Sequence, residues 1–278
     1  MPMTETTRTD SLSAARRIYI DLLKRCLVNS IYPEYSILSS VHWKRRLGRW
    51  LANRLGYELV KPLDPRLRAL GKDWPLTAHT MIGSKRLDNI QFCVEDVLRT
   101  NVPGDFMETG VWRGGACILM RGLLNAFQEN TRKVWVVDSF EGLPKPSLSA
   151  DDALLSTYTK DNSVIAVSLG TVKDNFARYG LLDEQVVFLK GWFKDTLPSA
   201  PVSSLAVLRL DGDLYESTMD VLKTMYPKLS MGGYLIVDDY SAIDACKKAV
   251  DEYRAANNIT EAINKVDDTG VYWQKATK

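Results

Sequence analysis

From residue 105 onward, short apolar runs alternate with stretches of helical spacing. The runs are DFMETG (105–110), KVWVVDSF (133–140), QVVFLKGWF (185–193), SLAVLRLDGD (204–213) and GGYLIVDDY (232–240). Between them lie helical patterns at 116–128, 164–179 and 215–229. Short unalternating apolar runs separated by helical segments predict stacked βα units and a parallel sheet. Two further short strands, near 262–266 and 271–275, are expected to close the sheet at one edge.

The first third of the chain is patterned differently. Residues 1–10 are polar and expected to fray. Over 13–32, Ile18, Leu22, Leu23, Cys26 and Leu27 recur at helical spacing, and HWKRRLGRWLANRLG (42–56) predicts a second basic amphipathic helix. Both are expected to pack as surface helices on the core or on another copy of the chain. After Pro75, TAHTMIGSKRLDNIQFCVEDVLRTNVPG reads as a loop running into an amphipathic helix that ends near Pro103. The expected division is a helical extension over 1–75 and an α/β domain over 76–278.

Composition narrows the classes. A net charge of +2 with 25% charged residues gives no general attraction to nucleic acid. The sequence also holds neither an extended basic face nor an Asn-Pro-Pro-aromatic motif for base chemistry. Cys26, Cys93, Cys117 and Cys246 form no CxxC pair and have no neighbouring histidine, which argues against zinc and against a disulfide framework. No apolar run approaches the ~20 residues of a membrane span. A cytoplasmic protein is expected, with no membrane partner.

The candidate chemistry gathers where strands end. Ligands of such sheets bind at the carboxyl ends of the strands, where strand order reverses. The first such loop is ETGVWRGGACILMRG (108–122), in which Gly110, Gly114 and Gly115 let the backbone approach a ligand. Its GxxxGG spacing is neither a dinucleotide GxGxxG nor a phosphate-cradling P-loop. Asp138 ends the second strand, where a carboxylate can accept both hydroxyls of a ribose. Glu108, inside the first turn, would repel a pyrophosphate but suits the amino-bearing methionine end of S-adenosyl-L-methionine.

Four more carboxylates crowd the ends of LRLDGD and YLIVDD. Neighbouring strands lie about 4.8 Å apart, so Asp211, Asp238 and Asp239 are expected to meet. Three carboxylates at that spacing need a cation between them or a shared proton. Oxygen ligands alone favour magnesium, calcium or manganese. The plainer alternative makes these acids helix caps and loop acids. Taking water as a stand-in, a carboxylate falls ~12 pKa units, roughly 16 kcal/mol, short of deprotonating a sugar hydroxyl outright. A cation that acidifies the hydroxyl and a nearby base together close such a gap. Asp213 is placed to be that base, or equally to cap the helix that starts near Tyr215.

The segments TMIGSKRLDNIQ, PGDFMETGVWRGGACILMRG, VDSFEGLP, FLKGWFKDTLP, RLDGDLYESTMDVL and YPKLSMGGYLIVDDY resemble the macrocin O-methyltransferase family, which methylates sugar hydroxyls in antibiotic biosynthesis. The resemblance implies an α/β fold of the class I S-adenosylmethionine-dependent type. This is a Rossmann-like, mostly parallel seven-stranded sheet with an N-terminal helical lid or extension. It also implies S-adenosyl-L-methionine as co-substrate, Mg2+ or another hard divalent cation, and a small-molecule glycoside as acceptor. By motif position it makes Asp211, Asp238 and Asp239 the metal ligands and Asp213 the general base. Glu108, Gly110, Trp112, Arg113, Asp138, Ser139 and Asp211 match positions around the donor, Thr80 and Met81 lie in a segment that covers it, and Gly191 and Trp192 correspond to the adenine side. The acidic, Ser-rich stretch between 144 and 164 is expected either to fold over the acceptor or to be a solvated loop. Two alternatives remain open from the residues: a metal-dependent catechol O-methyltransferase, and a Rossmann-like binding protein without activity.

Overall fold

Alternate residues of each central strand face opposite ways, and each face has its own core. In the computed structural model, which describes residues 5–37, 43–144 and 164–276, Phe106, Val134, Val136 and Ile236 face one cluster. Met107, Trp135, Val137, Leu208 and Leu235 face the other. This is the period-2 alternation of a sheet buried on both sides.

In chain order the elements are α1 (Glu5–Leu27), β1 (Tyr35–Ile37), α2 (Trp43–Arg54), β2 (Val60–Pro62), α3 (Pro65–Leu70), α4 (Ser84–Arg99), β3 (Asp105–Thr109), α5 (Gly115–Ala126), β4 (Val134–Asp138), α6 (Leu169–Arg178), β5 (Val186–Lys190), α7 (Phe193–Thr196), β6 (Leu205–Leu210), α8 (Tyr215–Met225), β7 (Leu229–Val237), α9 (Asp244–Ala256), β8 (Asn264–Lys265) and β9 (Val271–Gln274). The main sheet has the order β5-β4-β3-β6-β7-β9-β8. Its first five strands are parallel, and β9 runs antiparallel to β7 and β8. Strand order therefore reverses between β3 and β6. Register does the rest of the positioning: Thr109 pairs with Val137 and Leu210, and Leu210 pairs with Val237. Gly110, Asp138, Asp211 and Asp238 consequently leave the sheet side by side.

The N-terminal helix differs from expectation at both ends. It begins at Glu5, inside the stretch expected to fray, and no Gly or Pro interrupts it. It stops at Leu27 because Asn29 takes a left-handed conformation (φ 49), its side chain donating to Glu34 and Thr77. Its buried face is Ile20, Leu23 and Leu27, whereas Ile18 and Leu22 are 69% and 51% exposed. Leu23 packs on α5 where Gly122 leaves room: a Cβ there would stand 2.3 Å from Leu23 Cδ2. On α2, Leu47, Trp50 and Leu51 remain exposed.

Three other boundaries shift for local reasons. The helix expected over 164–179 starts at Leu169, capped by Ser168, whose Oγ accepts from Thr171 N at 3.1 Å. The one expected over 215–229 ends at Met225, and Pro227 follows in a 3-10 turn before β7. The helix α9 was not foreseen, although Ala245, Cys246, Ala249, Val250 and Tyr253 mark its buried face at helical spacing. The Ser-rich stretch at 145–163 lies outside the described residues. Among the described residues, no helix is long and apolar enough to cross a membrane.

Glu34 fastens the extension to the segment that precedes α4. It is 7% exposed. Its carboxylate accepts from Tyr35 N (2.9 Å), Thr77 N (3.1 Å), Ala78 N (2.7 Å), Thr77 Oγ1 (2.8 Å) and Asn29 Nδ2 (3.1 Å). Burial opposes its charge, but these donors outweigh burial and hold the carboxyl below its ordinary value. A carboxyl depressed in the folded state adds stability above its unfolded pKa of ~4.3 and loses it as pH falls through the folded value. Glu34→Gln should therefore cost about 1–3 kcal/mol at neutral pH. In urea unfolding, the gap from the parent protein should narrow as the pH is lowered below about 4.

Candidate active site

A cavity of about 690 Å³ opens at the carboxyl edge of the sheet, where strand order reverses between the paired β3 and β6. Glu108, Gly110, Trp112, Asp138 and Ser139 line it from β3, β4 and the turns after them, and Gly191 and Trp192 follow β5. Asp211, Asp213, Asp238 and Asp239 line it after β6 and β7, and Thr80 and Met81 from the segment before α4.

Arg113 is the exception among the expected residues. Its guanidinium donates to Ala78 O at 2.7 Å and lies 4.1 Å over the Trp112 ring. It braces the backbone leading to Thr80 and does not line the cavity.

Close backbone contacts explain the glycines. At Gly110 (φ 84) a Cβ would sit 1.7 Å from Asp211 O, so only glycine lets the two strand ends meet. At Gly115, in the first turn of α5, a Cβ would stand 2.5 Å from His79 O and 2.6 Å from Thr80 Cβ. The segment bearing Thr80 thus lies directly on the glycine turn. Asp138 is held by two backbone donors, Val111 N to Oδ2 at 2.8 Å and Phe140 N to Oδ1 at 2.7 Å. Burial pushes its pKa up despite these bonds.

The carboxylates are organised around a cation that the chain itself provides. Arg209, 1% exposed near the end of β6, donates through Nη1 to Glu108 Oε1 at 2.5 Å and Asp211 Oδ2 at 2.7 Å, and through Nη2 to Asp238 Oδ1. The other oxygen of Asp238 is taken by Arg86, which also holds Asp267 (2.8 Å) and Thr269. Glu108 further accepts from Cys117 Sγ at 2.8 Å, and burial raises its pKa to about 7 against the pull of Arg209.

Asp211, Asp213 and Asp239 stand differently: each offers an oxygen, and these oxygens lie within 4.8 Å of one another. The capping alternative fails for two of them. Leu214 precedes α8 and Ile243 precedes α9, neither helix having a side-chain cap. Asp213 adopts a left-handed backbone (φ 58) and is hydrogen-bonded to Asp239. Burial, then the charge of Asp211, pushes Asp213 to about 7. Burial and the charges of Asp213, Asp238 and Asp211 push Asp239 well upward. Without a cation, one of that pair must hold a proton.

Arg209 and Arg86 were not foreseen. An arginine near the end of the wholly buried strand LAVLRL was the available signal for the first. Arg86, three residues beyond Gly83 in TMIGSKR, carried no such signal, because its partners come from the distant loop at 267–269. Lys72, whose Nζ lies 2.6 Å from Asp268 Oδ2, and Trp74, Leu143 and Ile243 also line the cavity.

Counted from β3 as first, the sheet order is 3-2-1-4-5-7-6, with a glycine turn after the first strand and an acid closing the second. That is the fold of a class I methyltransferase. The chain belongs to the macrocin-O-methyltransferase (TylF) family, whose model matches residues 16–275, and it is a methyltransferase. It is 51% identical over 263 residues to the 8-demethyl-8-(2,3-dimethoxy-alpha-L-rhamnosyl)-tetracenomycin-C 4'-O-methyltransferase of Streptomyces olivaceus, covering 94% of this chain and 93% of that protein. It is 49% identical over 276 residues to the demethyldecarbamoylnovobiocin O-methyltransferase of Streptomyces niveus, covering 99% and 98%. The solved structure of the O-methyltransferase NovP superposes with a TM-score of 0.82 at 49% identity, covering 94% of this chain and all of that one.

Proposed function

We propose that the protein transfers the methyl group of S-adenosyl-L-methionine to a sugar hydroxyl of a natural-product glycoside, with a hard divalent cation at the acid cluster. The observation that carries this reading is the convergence of Asp211, Asp213 and Asp239 within 4.8 Å in the main cavity. The names of the two relatives support the acceptor class, one specifying the 4' oxygen of a rhamnosyl group. Family membership removes the reading as a binding protein without activity.

The donor set fits a hard cation, since it offers carboxylate oxygens only, crowded closely enough that a cation between them would relieve their repulsion. Asp211 and Asp239 of the acid cluster would hold it; the expected third ligand, Asp238, lies outside the cluster with both oxygens engaged by Arg209 and Arg86, and would join only through its remaining lone pairs. When bound, magnesium supplies Lewis acidity that lowers the pKa of the acceptor hydroxyl.

The chain's own groups do the remainder. Glu108 and Asp138 offer acceptor oxygens beside the glycine turn, the first for the amino group and the second for the ribose hydroxyls of the donor. The donor supplies a methyl group activated on a sulfonium sulfur. Asp213 takes the acceptor's hydroxyl proton on a carboxylate oxygen as the new O–C bond forms and S-adenosylhomocysteine is left.

Removal of divalent ions tests the cation. Exhaustive chelation should abolish S-adenosylhomocysteine release with a glycoside acceptor, and added magnesium should restore it. Turnover indifferent to chelation would take the cation out of the mechanism while leaving the fold untouched.

A further inference from the structure

The wall of the cavity formed by the N-terminal part of the chain hangs on one buried charge pair. Arg68, on α3, is 4% exposed. Its Nη2 donates to Met81 O at 2.6 Å and Ile82 O at 3.0 Å. Its Nη1 lies 2.9 Å from Asp73 Oδ1, with the two side chains 5% and 3% exposed. One guanidinium therefore joins α3 both to the loop that follows it and to the segment before α4.

The backbones joined in this way are pressed together. A Cβ on Gly71 (φ 65) would stand 2.6 Å from Gly83 N, and one on Gly83 would stand 2.3 Å from Ala69 O. Ser84 Oγ also donates to Ala69 O at 3.2 Å. The two stretches so fixed, 70–74 and 80–82, both line the main cavity, and Thr80 packs on the glycine turn at Gly115.

A buried ion pair is a poor device for stability alone, because removing two charges from water costs about as much as their attraction returns. This one is also incompletely bonded: Arg68 Nε and Nη1 and both Asp73 oxygens have no well-aligned hydrogen-bond partner. Burial raises the Asp73 pKa and lowers that of Arg68, each opposed by the partner's charge. What the pair does supply is direction, since a planar fork fixes several acceptors at once where an apolar contact would slide.

We infer that Arg68 and Asp73 are positioning residues for methyl transfer, holding Thr80, Met81 and Ile82 against the donor and Lys72 and Trp74 in the adjoining wall of the cavity. This rests on the donor site proposed above. Neither residue touches the reacting atoms. The pair acts by pre-organising the wall, so it governs binding more than the chemical step.

The test is the double variant Arg68→Met/Asp73→Leu, which removes both charges and leaves no unpaired partner. It should melt within a few degrees of the parent protein. Calorimetry should show S-adenosyl-L-methionine bound about tenfold more weakly or worse, with the acceptor KM raised and kcat little changed. Arg68→Lys keeps the charge but not the fork, and should show a smaller loss of the same kind. A folded double variant with parental donor affinity and KM would overturn the inference. Should the double variant fail to fold, parental affinity and KM in folded Arg68→Lys would overturn it instead. Failure of the parent protein to bind S-adenosyl-L-methionine would be a failure of the donor site, and is read separately in the same calorimeter.

Discussion

Asp213→Asn should lower the rate of methyl transfer by about 10²–10⁴-fold, the span a positioned general base contributes, while donor affinity stays at the parental value. The substitution keeps the shape of the side chain and removes its capacity to accept a proton. Asp213 caps no helix, so its loss has no obvious structural cost. Its left-handed backbone (φ 58) is one that asparagine also tolerates. Single-turnover rates paired with donor calorimetry separate the possibilities. A kcat near the parental value would remove Asp213 from the chemistry, and a lost donor affinity would show that it binds rather than catalyses.

Arg209→Met should destabilise the fold by about 3–5 kcal/mol, the usual cost of leaving buried carboxylates without their counter-charge. Glu108, Asp211 and Asp238 converge on this one guanidinium, two of them nearly inaccessible themselves. Losing it leaves three acids facing each other at the edge of the sheet. The acids would respond by taking up protons, so the deficit in urea unfolding should shrink toward acid pH. A deficit below about 1 kcal/mol at neutral pH would mean that the carboxylates find compensation elsewhere.

The two predictions divide the cluster into parts that the sequence showed unequally. The central strands β3, β4 and β6 and the second half of β7 were legible because they are buried on both faces and so read as short, mostly apolar runs. LAVLRL and LIV carry Asp211 and Asp238 to one edge through register alone. The glycine turn and Asp138 were legible for the same reason, since their place follows from strand order. Charge pairing was not. Spacing shows that acids are crowded, but which of them a guanidinium reaches depends on contacts across the sheet. Arg209 therefore engages Glu108, Asp238 and one oxygen of Asp211, and the cluster of Asp211, Asp213 and Asp239 keeps only that single contact with it. Arg113 was expected around the donor on the family resemblance, and its guanidinium donates to the carbonyl of Ala78.

Helix faces were only half legible as well. Over α1 the apolar residues occupy more than one face, and the pattern alone could not show that Ile20 is buried while Ile18 and Leu22 are exposed. Packing against Gly122 decides it. On α9 two of the buried residues, Ala245 and Ala249, are small, and small side chains give a weaker periodic signal than leucines would.

The placement of the transferred carbon tests the central claim most directly. The protein would be given S-adenosyl-L-methionine labelled with ¹³C in the methyl group, magnesium, and a panel of glycosides whose aglycones also carry free phenols. Product spectra then locate the label. An O-methyl signal correlated with a sugar ring carbon is the predicted result. A label found only on a phenolic oxygen, or rapid methylation of simple catechols with the glycosides untouched, would contradict it.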